Sequence, residues 1–152
     1  MRAVVQRVTS SKVVVDGKIV GSINKGINVL IGISCDDNEV DLKYIKDKII
    51  NLRIFEDENF KMNKSLMDIG GEMLVISQFT LYGDCRKGRR PNFMAALGGE
   101  ESKKLYDKFI LMLKEYGIKV ETGIFGADMK CALINDGPVT IVLDSNDIMP
   151  RK

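Results

Sequence analysis

Three stretches of this chain carry residue types able to do chemistry. The first is Ser77-Gln78-Phe79-Thr80, two hydroxyls and an amide at the end of the apolar run Met73-Leu74-Val75-Ile76. Polar residues at the tip of a buried strand often sit in a catalytic cleft; the plainer account is strand residues satisfied by neighbouring backbone groups. The second is Cys85-Arg86-Lys87-Gly88-Arg89-Arg90-Pro91. Arg86, Lys87, Arg89 and Arg90 can neutralise the phosphates of a nucleic acid, or simply coat a solvated loop. The cations beside Cys85 favour a thiolate, yet no partner base is visible and an inert thiol is the plainer account. The third is Asn135-Asp136-Gly137-Pro138-Val139-Thr140. Glycine brings backbone freedom, proline fixes φ and removes a donor, and X-Pro bonds are the ones that adopt the cis form at appreciable frequency. The hexapeptide reads as a turn. Held rigidly between apolar segments, it would also present two backbone carbonyls as a fixed recognition surface, and spacing alone does not choose between the two readings.

One absence narrows the chemistry. The chain has no histidine, so its own residues build neither a Ser-His-Asp or Cys-His arrangement nor a histidine-ligated metal site. The three cysteines, Cys35, Cys85 and Cys131, are odd in number and far apart, which argues for reduced thiols in a cytosol and against a disulfide framework or a zinc site. Met1 to Thr9 alternates in polarity and offers no secretory signal, and no apolar run reaches membrane-spanning length. A formal charge of +2 neither demands nor excludes nucleic acid.

The elements that must position these stretches read as one α/β domain over residues 1–152, with 45% hydrophobic and 29% charged residues, ordinary values for a globular fold. Arg2 to Thr9 alternates as a half-buried strand. Val13-Val14-Val15 and Ile19-Val20 flank Asp16-Gly17, a hairpin signal, and Ile27 to Ile33 reads as a buried central strand. Asp36-Asp37-Asn38 offers caps to a helix over 39–53, whose Leu42, Ile45, Ile49 and Leu52 share one face. Met73 to Ile76 is a strand inside the sheet, and its polar continuation through Leu81 is placed as extended. Pro91 is positioned to open a short helix to Leu97. Residues 100–116 form a second long helix with Leu105, Phe109, Met112, Leu113 and Tyr116 inward. Ile118 to Thr122 alternates as a strand and 123–129 reads as a loop, in which Phe125 and Met129 look like loop anchors. Cys131 to Ile134 and Val139 to Leu143 are the last two strands, joined through the hexapeptide. The expected architecture is a mostly antiparallel sheet with two main helices.

Taken together, Gln6-Arg7-Val8, Arg53-Ile54-Phe55, Lys61-Met62-Asn63, Ser77-Gln78-Phe79-Thr80-Leu81, Arg90-Pro91, Ala127-Asp128-Met129 and the Asn-x-Gly-Pro-Val-Thr hexapeptide occur in an order and spacing that closely resembles the D-aminoacyl-tRNA deacylase (D-tyrosyl-tRNA deacylase) family over nearly the whole chain. Phe60 departs from that pattern, standing where the family often has glycine, as does Asn92, where serine is common. The resemblance implies the family's fold and a cytoplasmic homodimer that hydrolyses the ester of D-aminoacyl-tRNA or glycyl-tRNA, with no cofactor, no metal and no membrane. It implies a cis Gly137-Pro138 bond whose carbonyls enter the partner subunit's site and reject L substrates, with Arg7 holding the motif. It gives Ser77, Gln78, Phe79 and Thr80 the catalytic environment, and puts Phe125 and Met129 beside the terminal adenosine. The reaction it implies is RNA-assisted attack by water, since a threonine hydroxyl without a base is a poor nucleophile. A non-catalytic RNA-binding module using the basic loop, and a hydrolase using Cys85, are the readings from other classes.

Overall fold

The computed structural model describes residues 1–148. Its spine is β1 (Arg2–Val15), longer than the expected strand because Ser10, Ser11 and Lys12 continue the ladder. Along one edge β1 pairs antiparallel with β2 (Lys18–Ile23) and β3 (Gly26–Gly32), and along the other with β8 (Lys130–Asp144). The β1–β2 hairpin turns at Asp16 and Gly17, both at positive φ, as the two-residue signal predicts. On the far side of β3, β6 (Glu72–Ser77) and then β7 (Val120–Thr122) pair in parallel, so the antiparallel expectation holds around β1 and gives way where crossover helices return the chain.

Helix α1 (Glu39–Asn51) begins in a capping box: the Asn38 side chain accepts from the Val40 N–H at 2.9 Å, and the Asp41 carboxylate accepts from the Asn38 N–H at 2.9 Å. With α2 (Gly99–Lys114) it covers one face of the sheet. Leu42, Ile45 and Ile49 from α1 and Tyr106, Phe109, Ile110 and Leu113 from α2 pack on Val5, Val29, Met73 and Val75. Tyr106 and Ile110 are therefore core residues that the expected face of α2 omitted, whereas Leu105, Met112 and Tyr116 lie at its margin. Leu74 and Ile76 point the other way, into a second core with Val8, Val13 and Ile23. That second core exists because the sheet curls: β2 crosses β7 so closely that a Cβ on Gly21 would collide with the Thr122 carbonyl. A strand buried on both faces explains the unbroken apolar run of β6. At the chain start, the Met1 α-ammonium donates to Asp37 at 2.6 Å and to Ser145 Oγ at 2.8 Å, tying β1 to the α1 cap and to the short α3 (Ser145–Ile148).

Three local expectations are corrected. After Ser77 the chain leaves the strand and coils into a 3₁₀ turn over Phe79–Tyr82. No helix forms between Pro91 and Leu97, because that backbone bonds elsewhere: Asn92 pairs with Asp84, the Cys35 N–H donates to the Ala95 carbonyl, and the Leu97 N–H donates to the Ile33 carbonyl. The hexapeptide does not join two strands but is a bulge within β8, whose halves both pair with β1. Between the Gln6–Thr140 and Val8–Asn135 pairs, β8 advances five positions and β1 two, so three residues are extruded opposite Arg7.

Phe60 sits at φ 60° in the turn between β4 (Phe55–Glu56) and β5 (Met62–Lys64), its ring 84% exposed. Left-handed backbone is costly for a residue with a Cβ and free for glycine, and the ring recovers little by packing. Phe60→Gly is expected to raise stability by about 0.5–1 kcal/mol, read as a higher urea midpoint at unchanged slope.

Candidate functional site

The tip of β6 opens into a cavity about 520 Å³ in volume. Strand pairing ends where Gln78 N–H donates to the Ile31 carbonyl at 2.7 Å, and the following 3₁₀ turn closes when Gly83 N–H donates to the Thr80 carbonyl at 2.9 Å. The first N–H groups of a helical turn have no acceptor within it. Accordingly, among the described residues the Phe79 and Thr80 N–H groups find no partner. Phe79 lines the cavity, whereas Thr80, next in the turn, is not among its lining residues; adjacent free main-chain donors are the kind of group that stabilises a developing oxyanion. The Thr80 hydroxyl is already engaged, accepting a hydrogen bond from Gln78 Nε2.

The structure brings Ser77, Gln78 and Phe79 to the same cavity as Phe125 and Met129. Phe125 is fixed by packing on Tyr106, ring centroids 5.6 Å apart, and Tyr106 in turn donates to the Val75 carbonyl at 2.9 Å. Burial of Tyr106 raises its phenol pKa far above the ordinary value, so it stays a neutral donor. Sequence reasoning missed Phe93, whose ring meets Phe79 edge-on at 5.2 Å, and Ser102 and Cys131, which also line the cavity. No local signal marked Phe93, because it arrives from a loop. Burial raises the Cys131 thiol pKa, which disfavours a thiolate there. Cys85 lies outside this cavity, on a separate depression that Arg2 and Tyr82 also line.

Gly137 and Pro138 do not line the cavity of their own chain. Pro138 is exposed, the peptide bond between the two is cis, and Gly137 has φ 140°. The bulge that carries them is clamped from within. Arg7, 7% exposed, donates through Nε to the Asp136 carbonyl at 2.9 Å and through Nη1 to the Ile54 carbonyl at 2.8 Å. Asn135 completes the clamp, accepting from the Val139 N–H at 2.8 Å and donating to Thr140 Oγ1 at 3.0 Å. The side chains thus fix the backbone, and Gly137 and Pro138 themselves are exposed.

The basic loop is divided. Arg86 is committed to Asp84, donating through Nε at 2.9 Å and Nη2 at 2.7 Å, and this guanidinium holds the Asp84 carboxyl down at about 2. Lys87, Arg89 and Arg90 are exposed, with no ion pair among the described residues. They flank a shallow depression that Lys87, Arg90 and Asn92 help to line.

A chain without histidine builds no Ser-His-Asp or Cys-His arrangement of its own, so any hydrolysis at this cleft would lean on main-chain donors rather than such a triad. The comparisons specify the family. The family model described as D-Tyr-tRNA(Tyr) deacylase matches residues 4–144. A D-aminoacyl-tRNA deacylase of Clostridium botulinum (strain Eklund 17B / Type B) is 72% identical over 146 residues, covering 96% of this chain and 98% of that one. One of Clostridium beijerinckii is 73% identical over 145 residues, covering 95% and 97%. Among solved structures, the c-Myc DNA unwinding element binding protein superposes with a TM-score of 0.90 at 43% identity, over 95% of this chain and 98% of that one. A structure described as a probable eukaryotic D-amino acid tRNA deacylase gives 0.80 at 19% identity, over 93% and 97%, a likeness of fold. The chain belongs to the D-Tyr-tRNA(Tyr) deacylase family.

Proposed function

We propose that the protein is a D-aminoacyl-tRNA deacylase, hydrolysing the ester between a D-amino acid, or glycine, and the terminal ribose of tRNA. The observation that carries the chemistry is the pair of unpartnered Phe79 and Thr80 N–H groups in the turn that follows the strand tip, where Phe79 lines the cavity and Thr80 is the next residue. They would stabilise the oxyanion formed as water adds to the ester carbonyl; collapse of that intermediate expels the ribose oxygen, which takes up a proton. With no histidine to take a proton from water, the terminal 2′-hydroxyl of the RNA assists its activation. Ser77 and Gln78 line the substrate, Phe125 and Met129 hold the adenosine, and Lys87, Arg89 and Arg90, with Arg86 secured to Asp84, contact tRNA phosphates.

The active unit in this reading is a cytoplasmic homodimer. Gly137 and Pro138 are held stiffly yet do not line the cavity of their own chain, and β8 is an edge strand carrying exposed Ile134 and Val142, 61% and 70% accessible. An apolar sheet edge of this kind favours pairing with a second copy. The partner's Gly-Pro carbonyls would then accept the substrate amino group and leave no room for an L side chain, so that collision rather than affinity sets the selection. Rapid release of tyrosine from D-tyrosyl-tRNA with L-tyrosyl-tRNA spared is the expected result. Binding of both without release would instead favour an RNA-binding module, and loss of release on thiol alkylation would favour Cys85.

A further inference from the structure

Ser102 is the one buried polar side chain in the part of the cavity that Phe125 and Met129 define, and nothing assigned so far uses it. It is 6% exposed, stands in the first turn of α2, and lines the cavity. One helical turn later on the same face is Tyr106, the residue on which Phe125 packs, so Ser102 and Phe125 face the same space. Helical serines often bond back to the carbonyl four residues earlier. Ser102 does not, and among the described residues its hydroxyl has no hydrogen-bond partner. The hydroxyl is not sealed in the core, as the unpartnered side-chain atoms of Asn28, Tyr44 and Tyr82 are, but opens on the cavity, and alanine would be the better helix former at this position. A hydroxyl that opens on the cavity and has no protein partner is available to a ligand group there.

The surroundings say which kind of ligand group that is. α2 starts at Gly98 and Gly99 with no side-chain cap, so this end of the cavity is rich in donors and short of acceptors. A phosphate is disfavoured, because Glu100 and Glu101 stand exposed in the same turn. Phe125, Met129, Leu97 and Ala127 present flat apolar walls suited to an aromatic ring. We propose that the Ser102 hydroxyl donates a hydrogen bond to a ring nitrogen of the purine at the RNA terminus, making Ser102 a binding residue that reads the base edge. The assignment rests on reading this cavity as the adenosine site.

The test is calorimetric binding of a non-hydrolysable 3′-amide of D-tyrosine on adenosine, and of its 1-deaza, 3-deaza and 7-deaza analogues, to the wild-type protein and to Ser102→Ala. Loss of one neutral hydrogen bond predicts about 3- to 10-fold weaker binding of the adenosine compound to the variant. One deaza analogue should lose that same factor on the wild-type protein and bind the variant no worse, while the melting temperature of the variant stays level or rises. Equal binding by both proteins, or an equal loss across all four compounds, overturns the assignment. Binding that depends on Ser102 in a protein that releases no tyrosine from D-tyrosyl-tRNA would fell the deacylase reading and leave Ser102 standing. Release without any dependence on Ser102 does the opposite.

Discussion

Gly137→Ala is expected to lower kcat/KM for D-tyrosyl-tRNA by about 100-fold or more while leaving the protein folded. A methyl group at position 137 would stand 2.8 Å from Val139 Cγ2, 3.0 Å from the Val139 nitrogen and 3.2 Å from Arg7 Nη2. The φ of 140° is itself a conformation that residues with a Cβ avoid. Relief requires the bulge to rotate, and its neighbours resist, because Arg7 grips the Asp136 carbonyl from a buried position and Asn135 holds the Val139 N–H. Strain of about 2–3 kcal/mol at this point is enough to misdirect the two carbonyls, and misdirection by an ångström costs on the order of 100-fold in rate. Global stability should fall far less, since the extruded residues lie outside the ladder pairs of β1 and β8. Steady-state kinetics on D- and L-tyrosyl-tRNA together with a urea transition separate the two effects. A Gly137→Ala variant with wild-type kcat/KM and undiminished rejection of the L ester would sink the role given to these carbonyls.

The path from sequence to this site is uneven for physical reasons. Hydrophobic periodicity locates α1, α2 and the strands, because burial on one face leaves a period that a single chain records. It places Leu113 and Phe109 inward but not Tyr106, whose hydroxyl suggests solvent and instead caps the Val75 carbonyl inside the core. The hexapeptide is legible as special but not in shape: Gly-Pro signals a reversal, whereas here both flanks pair with one strand, and only the register opposite Arg7 reveals a bulge. The strand tip reads as extended through Leu81, because a 3₁₀ turn of four residues has no period of its own. That turn leaves the Phe79 and Thr80 N–H groups without partners, so the feature proposed to stabilise the oxyanion depends on main-chain geometry that side-chain patterns do not encode. Phe60 shows the converse: its departure from glycine is visible in the sequence, and its positive φ gives the departure a physical cost.

Thr80→Ala is expected to keep kcat/KM within about 3-fold of wild type, whereas a substrate ending in 2′-deoxyadenosine should lose about 100-fold or more. The first part follows from what surrounds the hydroxyl. Thr80 Oγ1 accepts from Gln78 Nε2, and the chain has no histidine to take its proton. A threonine without a base attacks esters poorly at neutral pH. Alanine preserves the backbone N–H, which is the group given work at this position, and a methyl fits where the side chain is already exposed. The second part follows from the deficit this leaves: general acid-base assistance is worth about 10²- to 10⁴-fold, and in the proposed reaction the substrate's own hydroxyl would supply it. Single-turnover rates with matched D-tyrosyl esters on ribo- and deoxyribo-terminated tRNA measure the term directly, with an equilibrium binding assay to separate chemistry from affinity. If Thr80→Ala lost about 100-fold and the deoxy substrate lost nothing, water activation by the RNA would be wrong and the threonine would be the nucleophile. If both changes were costly, a rate loss in the variant matched by a loss of binding would point to the Gln78–Thr80 contact shaping the cavity mouth, and an unchanged affinity would point to the hydroxyl acting in the reaction itself.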